Sequence, residues 1–432
     1  MKKAALHNLG CKVNAYETEA MTQLLADAGY EIVPFTEKAD VYVVNTCSVT
    51  NIADRKSRQM LHKAKKMNPA AVVVATGCYA QTATEKAEAD EAIDLILGNN
   101  KKKEIVSILE DYYQQKAVKT NVIDINHTDE YEELEIATVT EHTRAHLKIQ
   151  DGCNSFCTYC IIPYARGRIR SRKVSDIIEE VKRLAESGFQ EIVLTGINLS
   201  CYMDGEKRLI DVIEQVNQVN GIERIRLGSL DPEVITEEFT KRLAKVEKIC
   251  PHFHLSMQSG CDKTLKAMNR HYTTEEFLEI CNRLRKYFKE PALTTDVIVG
   301  FPQESEEDYQ TTKSFVEKVG FSKLHVFKYS KRDGTVAARM EGQIPETVKA
   351  QRSEDLIQLG NYLTEEYWKM KAGKAEEVLF EEKVNLQGNE YFVGHTKDYI
   401  KVVVSSSEDL EGKIKTVTLI EPMTNEIMLA TL

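Results

Sequence analysis

The sequence predicts a multidomain α/β protein: an N-terminal parallel α/β domain, a central partial barrel of six βα units and a small C-terminal β-barrel. Three observations carry this. A chain of 432 residues exceeds the size at which one hydrophobic core stops growing. Short apolar runs alternate with amphipathic helical stretches through most of its length, the signature of parallel sheets. Beyond one last long helical pattern, Pro345 to Met370, the character changes to short alternating runs. The expected domains are 1–137, 138–371 and 372–432.

In the first domain, Lys3 to Asn8, Val41 to Asn45 and Val72 to Thr76 read as strands, and Glu17 to Ala28 and Ala53 to Lys66 as helices ended by Gly29 and Pro69. A cysteine follows each strand closely: Cys11, Cys47 and Cys78. Carboxyl ends of strands gather at one edge of an open α/β sheet. Three cysteines distant in sequence therefore meet there as a three-thiol site, the alternative being isolated small hydrophobes. Five carboxylates between Asp129 and Glu135 mark a solvated linker, with the boundary near Ala137.

The central strands are expected at Arg144 to Gln150, Glu191 to Thr195, Arg224 to Gly228, His252 to Met257, Leu293 to Val299 and Lys323 to Phe327. Helices separate them at Val174 to Ser187, Leu209 to Val219, Thr236 to Lys248, Thr274 to Phe288 and Glu306 to Val319. Strand ends carry small and polar residues suited to a bound cofactor: Thr195, Gly196 and Asn198; Ser229 and Asp231; Gln258; and Gly300. Turn chemistry explains any one of these alone. In the last domain, short strands are expected at Glu377 to Phe380, Tyr391 to Val393, Tyr399 to Val404, Lys413 to Ile420 and Ile427 to Ala430, a pattern of small barrels.

The net charge of −10 argues against a nonspecific polyanion binder. Ten cysteines in a secreted chain would suggest disulfides, but the start turns polar before any signal-like apolar region, and no apolar run is long enough for a bilayer. A cytoplasmic protein without membrane insertion is expected. Positive charge is local: Arg55 to Lys66 holds six Lys or Arg and no carboxylate, and Arg166 to Lys173 holds five and none. The first suits a solvated helix face or RNA equally. The second, with Arg166, Arg168, Arg170 and Arg172, is read as a phosphate-binding run.

The densest chemical signal is Cys153, Cys157 and Cys160, separated by three and two residues and closed by Ile161-Ile162-Pro163. Three thiolates at this spacing can hold three irons of a cubic cluster and leave the fourth iron open. Structural zinc would want four ligands, and no second Cys or His pair follows at zinc-finger spacing. Cys201, Cys250, Cys261 and Cys281 have no ligand spacing and read as packing residues.

Taken together, Leu9-Gly10-Cys11-Lys12-Val13-Asn14, Asn45-Thr46-Cys47, Thr76-Gly77-Cys78, the Cys153 loop with Tyr159, His254 to Gly260 and Asp296 to Pro302 resemble the radical S-adenosylmethionine (radical SAM) methylthiotransferase family over nearly the whole chain. The Gly-Cys-Lys-Val-Asn start and Arg166 to Arg172 resemble the branch acting on threonylcarbamoyladenosine beside the tRNA anticodon. Gly394 to Val402 resembles the core of TRAM RNA-binding domains, although 372–432 carries six Lys and no Arg against eleven carboxylates.

The resemblance implies two 4Fe-4S clusters, at Cys153/Cys157/Cys160 and at Cys11/Cys47/Cys78, with S-adenosylmethionine on the first. There a 5′-deoxyadenosyl radical would be generated. The second cluster would carry the sulfur whose methylthio group passes to carbon 2 of the modified adenine. An electron donor such as a flavodoxin or ferredoxin is implied as partner. Lys12, where the isopentenyladenosine branch carries glutamine, becomes a candidate for the threonylcarbamoyl carboxylate, or else a solvated or phosphate-contacting lysine. Open alternatives are methylthiolation of isopentenyladenosine tRNA or of a ribosomal protein, and a noncatalytic RNA-binding protein stabilised by metal.

Overall fold

A computed structural model describes every residue except 117, 137–142 and 387. The N-terminal domain is one parallel sheet in the spatial order Glu31–Ile32, Lys3–Asn8, Val41–Thr46, Val72–Gly77, Leu95–Leu97, Thr120–Asn121. The three long strands are the expected ones. The other three span only two or three residues, too few to show a period, so the sequence reading missed half the sheet. The first helix, Lys12–Asp27, starts five residues earlier than expected, directly after Cys11 in extended conformation. The second, Asn51–Met67, is capped by Thr50, whose hydroxyl accepts from the Ala53 amide.

Six parallel strands form the central domain. Arg224–Leu227, Glu191–Gly196 and Arg144–Asp151 pair in that order, as do His252–Gln258, Ala292–Val299 and Lys323–Lys328. Leu230 joins the two groups: its amide donates to His254 O at 2.8 Å and its carbonyl accepts from Ser256 N at 3.0 Å. Among the described residues no pairing links Arg144–Asp151 to Lys323–Lys328, so the arc stays open. The expected third helix is shorter than its pattern, Glu237–Leu243. The boundary expected near Ala137 lies outside the described residues, whereas the second falls where helix Glu346–Lys371 ends.

Strand period separates two faces. Ala145, Leu147 and Ile149 join the core beneath the helices, and Arg144, His146, Lys148 and Gln150 take the concave face. Register places Glu191 between Arg144 and Arg224, and the Arg226 Nε donates to Glu191 at 2.7 Å. These guanidiniums hold the buried Glu191 carboxyl down at about 2. Glu191→Ala would leave Arg224 and Arg226 without their carboxylate, while Arg144 keeps Glu381, and chemical denaturation should show a loss of about 3–5 kcal/mol. A carboxyl depressed in the folded state stabilises above its unfolded value. The contribution of Glu191 should therefore be intact above about pH 4.5 and fade as pH falls toward 2.

The last five strands close a barrel in the order Ala375–Leu386, Asn389–Thr396, Lys401–Val404, Met428–Thr431, Ile414–Pro422. This barrel seats against the amino ends of the central strands. Arg224 donates to the carbonyls of His395 and Glu377, and Arg226 to those of Lys397 and Thr396. Tyr399 stacks between His252 and His395, with ring centroids 5.1 and 4.6 Å away. Among the described residues, no helix is long and apolar enough to cross a membrane.

Two thiol sites across one domain boundary

The strand Arg144–Asp151 runs straight into the Cys153 loop. Gly152 makes the turn at φ 74°, and a side chain there would meet Arg168 O at 1.8 Å, so only glycine lets the loop fold back. Cys153 N then donates to Gly167 O at 3.1 Å. The far side is tied to the segment after helix Asp262–Ala267: Thr158 N donates to Met268 O at 3.0 Å, and Asn269 Nδ2 to the carbonyls of Ser155 and Phe156 at 3.2 and 3.3 Å. All three thiols are half-buried. Burial, then the neighbouring Cys157 thiol, pushes Cys160 up to about 12.

Two side chains reach these sulfurs from elsewhere, one after strand Glu191–Gly196 and one beyond helix Asp262–Ala267. Asn198 Nδ2 lies 3.8 Å from Cys153 Sγ, and its Oδ1 is buried without a partner. Arg270 places one nitrogen 3.5 Å from Cys157 Sγ and another 2.9 Å from Asp231 Oδ2. Arg270 and Asn269 were missed by sequence reading; they sit beyond a short helix with no motif to mark them.

In the N-terminal domain, loops after three adjacent strands clasp one another. Gly10 has φ 104°, and a Cβ there would lie 2.9 Å from Cys47 Sγ. Asn14 Nδ2 donates to Leu9 O at 2.7 Å and Thr46 O at 3.0 Å, closing the first two loops together. Tyr79 N donates to Thr46 Oγ1 at 3.2 Å, bringing in the third. Cys11 is exposed while Cys47 and Cys78 are buried. Burial, then Cys78, pushes the Cys47 thiol up to about 11.

Among the described residues, no three His, Cys, Asp or Glu side chains converge tightly enough for a single metal ion. A zinc would require four ligands at about 2.0–2.3 Å. A cubic cluster instead offers each thiol its own iron, so three thiols that do not converge on one metal ion are compatible with it. The unpartnered Asn198 Oδ1 beside Cys153 is likewise a polar atom suited to a small polar ligand.

Other expected site residues fare differently. Ser229 is exposed at the rim, and Gln258 is half-buried at a β-bulge with φ 70°. Thr195 is buried, and Gly196 makes room for Gln150, since a Cβ would meet Gln150 Oε1 at 2.9 Å. At Gly300 the space left by the missing side chain is filled by Lys349 Cγ, 2.3 Å from an ideal Cβ, so packing against Lys349 already requires glycine there.

The arginine run needs a larger correction. Arg166, Arg170 and Arg172 are buried and cannot grip a phosphate backbone. Arg166 pairs with Glu17 at 2.5 Å, Arg170 donates to Arg166 O at 2.9 Å, and Arg172 pairs with Glu180 and Glu133. Their carboxylate partners come from separate elements: Glu17 of the N-terminal domain for Arg166, Asp151 at the end of the strand before the loop for Arg170, and Glu180 of the following helix for Arg172. Arg168 alone of the four keeps substantial exposure, lying 4.5 Å over the Phe156 ring. Lys12 retains solvent contact yet stands among protein atoms. Burial, then the Arg226 and Arg144 guanidiniums on the concave face, lowers its pKa.

Comparison with known proteins agrees with this geometry. The profile described as "Radical SAM superfamily" matches residues 147–316, and "Uncharacterized protein family UPF0004" matches residues 3–98. The chain is 43% identical to the threonylcarbamoyladenosine tRNA methylthiotransferase MtaB of Bacillus subtilis, covering 98% of this chain and 94% of that one. It is 37% identical to the Thermotoga maritima protein of the same name, with 91% of each covered. It is 35% identical to the tRNA-2-methylthio-N(6)-dimethylallyladenosine synthase of Carboxydothermus hydrogenoformans, with 95% of each covered. Among solved structures, the radical S-adenosylmethionine methyltransferase TsrM of Kitasatospora setae shares the fold: TM-score 0.58, 14% identity, 76% of this chain and 73% of that one.

Proposed function

The chain belongs to the family of threonylcarbamoyladenosine tRNA methylthiotransferases, and from that premise we propose that it adds a methylthio group to carbon 2 of threonylcarbamoyladenosine in tRNA. The observation that carries the reading is the presence of two separate three-thiol sets, one in each domain, held against one shared wall of buried ion pairs. Cys153, Cys157 and Cys160 would hold one 4Fe-4S cluster and Cys11, Cys47 and Cys78 a second. Bound clusters and S-adenosylmethionine supply the one-electron chemistry and the sulfur that side chains lack.

The protein contributes position. Asn198 and the Arg270–Asp231 pair stand where a ligand on the first thiol set would meet an amide and a fixed charge. The small closed barrel at the amino ends of the strands is read as a TRAM-like domain that shuts that end, leaving the carboxyl end for RNA. With three arginines of the expected run buried, phosphate contacts fall to Arg168, Lys173 and exposed cations of helix Asn51–Met67. A flavodoxin or ferredoxin is the proposed electron donor, and the cytoplasm the proposed location.

The test is turnover by the anaerobically reconstituted protein on tRNA carrying either threonylcarbamoyladenosine or isopentenyladenosine. Methylthiolation of the first is expected; preference for the second would overturn the branch assignment. Lys12 is proposed to meet the threonylcarbamoyl carboxylate, since an unpaired buried carboxylate is costly. Lys12→Met should lower kcat/KM on that tRNA about 10- to 100-fold, the ~1.5–3 kcal/mol of a charged hydrogen bond. Binding of tRNA lacking the group should be unchanged; an equal loss would assign Lys12 to the phosphate backbone.

A further inference from the structure

Six charged side chains are buried in the wall between the two thiol sets. Glu17 and Lys102 come from the N-terminal domain, and Lys148, Asp151, Arg166 and Arg170 from the central one; none is more than 3% exposed. Glu17 receives Lys148 at 2.7 Å, Arg166 at 2.5 Å and Lys102 at 3.2 Å. Asp151 receives Lys148 at 2.7 Å and Arg170 at 3.7 Å. Two carboxylates thus face four cations, and the buried Glu132 adds a third carboxylate acting on Lys148. The one positive charge left over in a dry interior is costly by itself and calls for a negative counterpart.

The surplus is connected to the N-terminal thiols by two asparagines. Arg166 donates to Asn14 Oδ1, which lies 3.8 Å from Cys11 Sγ. Lys102 donates to Asn99 Oδ1 at 2.5 Å, and Asn99 Nδ2 points at Cys78 Sγ from 3.9 Å. Arg166 Nε is buried with no partner of its own. At the other thiol set, the guanidinium that reaches a sulfur, Arg270, is paired with Asp231 at 2.9 Å, and Arg168 over the Phe156 ring is partly open to solvent.

We propose that this buried cation surplus makes the cluster at Cys11, Cys47 and Cys78 the more easily reduced of the two, with Arg166 and Lys102 as the residues that position the charge. The proposal rests on the reading that both thiol sets hold 4Fe-4S clusters. A cubic core of charge +2 on three thiolates carries −1, and one added electron makes it −2. Nearby uncompensated cations favour the more negative state, the more so at low local dielectric. A neutral Arg–Asp pair has no comparable preference. Arg166 also joins the two domains, so its charge stays at one distance from Cys11 and Cys78 whenever they are docked.

The experiment is an EPR-monitored reductive titration of the anaerobically reconstituted full chain. Each site is assigned with variants holding one cluster: Cys157→Ala/Cys160→Ala for the N-terminal site and Cys11→Ala/Cys47→Ala for the central one. The N-terminal signal is expected at the higher midpoint potential. Lys102→Met and Arg166→Gln should each move it to lower potential and leave the central signal in place, and Arg166→Lys should restore most of the shift. Arg172→Gln, whose partners are Glu180 and Glu133, serves as the distant control. An N-terminal midpoint at or below the central one, or unmoved in both Lys102→Met and Arg166→Gln, would overturn the proposal. Failure of Cys157→Ala/Cys160→Ala to bind iron would instead overturn the ligand reading beneath it.

Discussion

Cys157→Ala is expected to reduce cleavage of S-adenosylmethionine to the level of protein without iron. The loop that carries Cys157 is tied down independently of any cluster: Gly152 and Gly167 on one side, Met268 and Asn269 on the other. The substitution should therefore leave the backbone in place and remove one donor of three. Two thiols cannot hold three irons of a cubic core while keeping the fourth iron open. Arg270 would lose its sulfur neighbour yet keep Asp231, so no buried charge is stranded and the fold should persist. The measurement is 5′-deoxyadenosine release under strong reductant, together with iron content. Release at the wild-type rate would remove Cys157 from the ligand set.

Cys47→Ala should separate the two halves of the reaction. Cys47 lies in the other domain, buried at the end of Val41–Thr46 against Gly10, with no role in the Cys153 loop. Replacing one small buried side chain by another should cost little stability, about 1 kcal/mol. About half of the reconstituted iron should be lost. Cleavage of S-adenosylmethionine is expected to continue, and methylthio transfer to tRNA to stop. Loss of cleavage together with transfer would show that the two sites cannot be uncoupled, and that the buried wall of Glu17, Lys148 and Arg166 carries more than a field.

Much was legible in the chain itself because it depends on short-range pattern. The alternation of apolar runs and helical stretches specified the parallel sheets, since burial on both faces of a strand and one face of a helix writes a local period. The six cysteines were legible too: three share one loop, and three recur at one structural point, the carboxyl ends of successive strands. Tertiary structure alone decided the roles of the charged residues. Arg166, Arg170 and Arg172 look like a solvent-facing basic run in sequence, yet Glu17, far along the chain, and Glu180, in the helix that follows, draw two of them into the interior. A guanidinium's partner is chosen by distance in space, which the order of residues does not encode. The same holds for Arg270 at Cys157 and for the space at Gly300 that Lys349 occupies. Charge pairing and close packing are decided where distant segments meet, after local pattern has placed the strands.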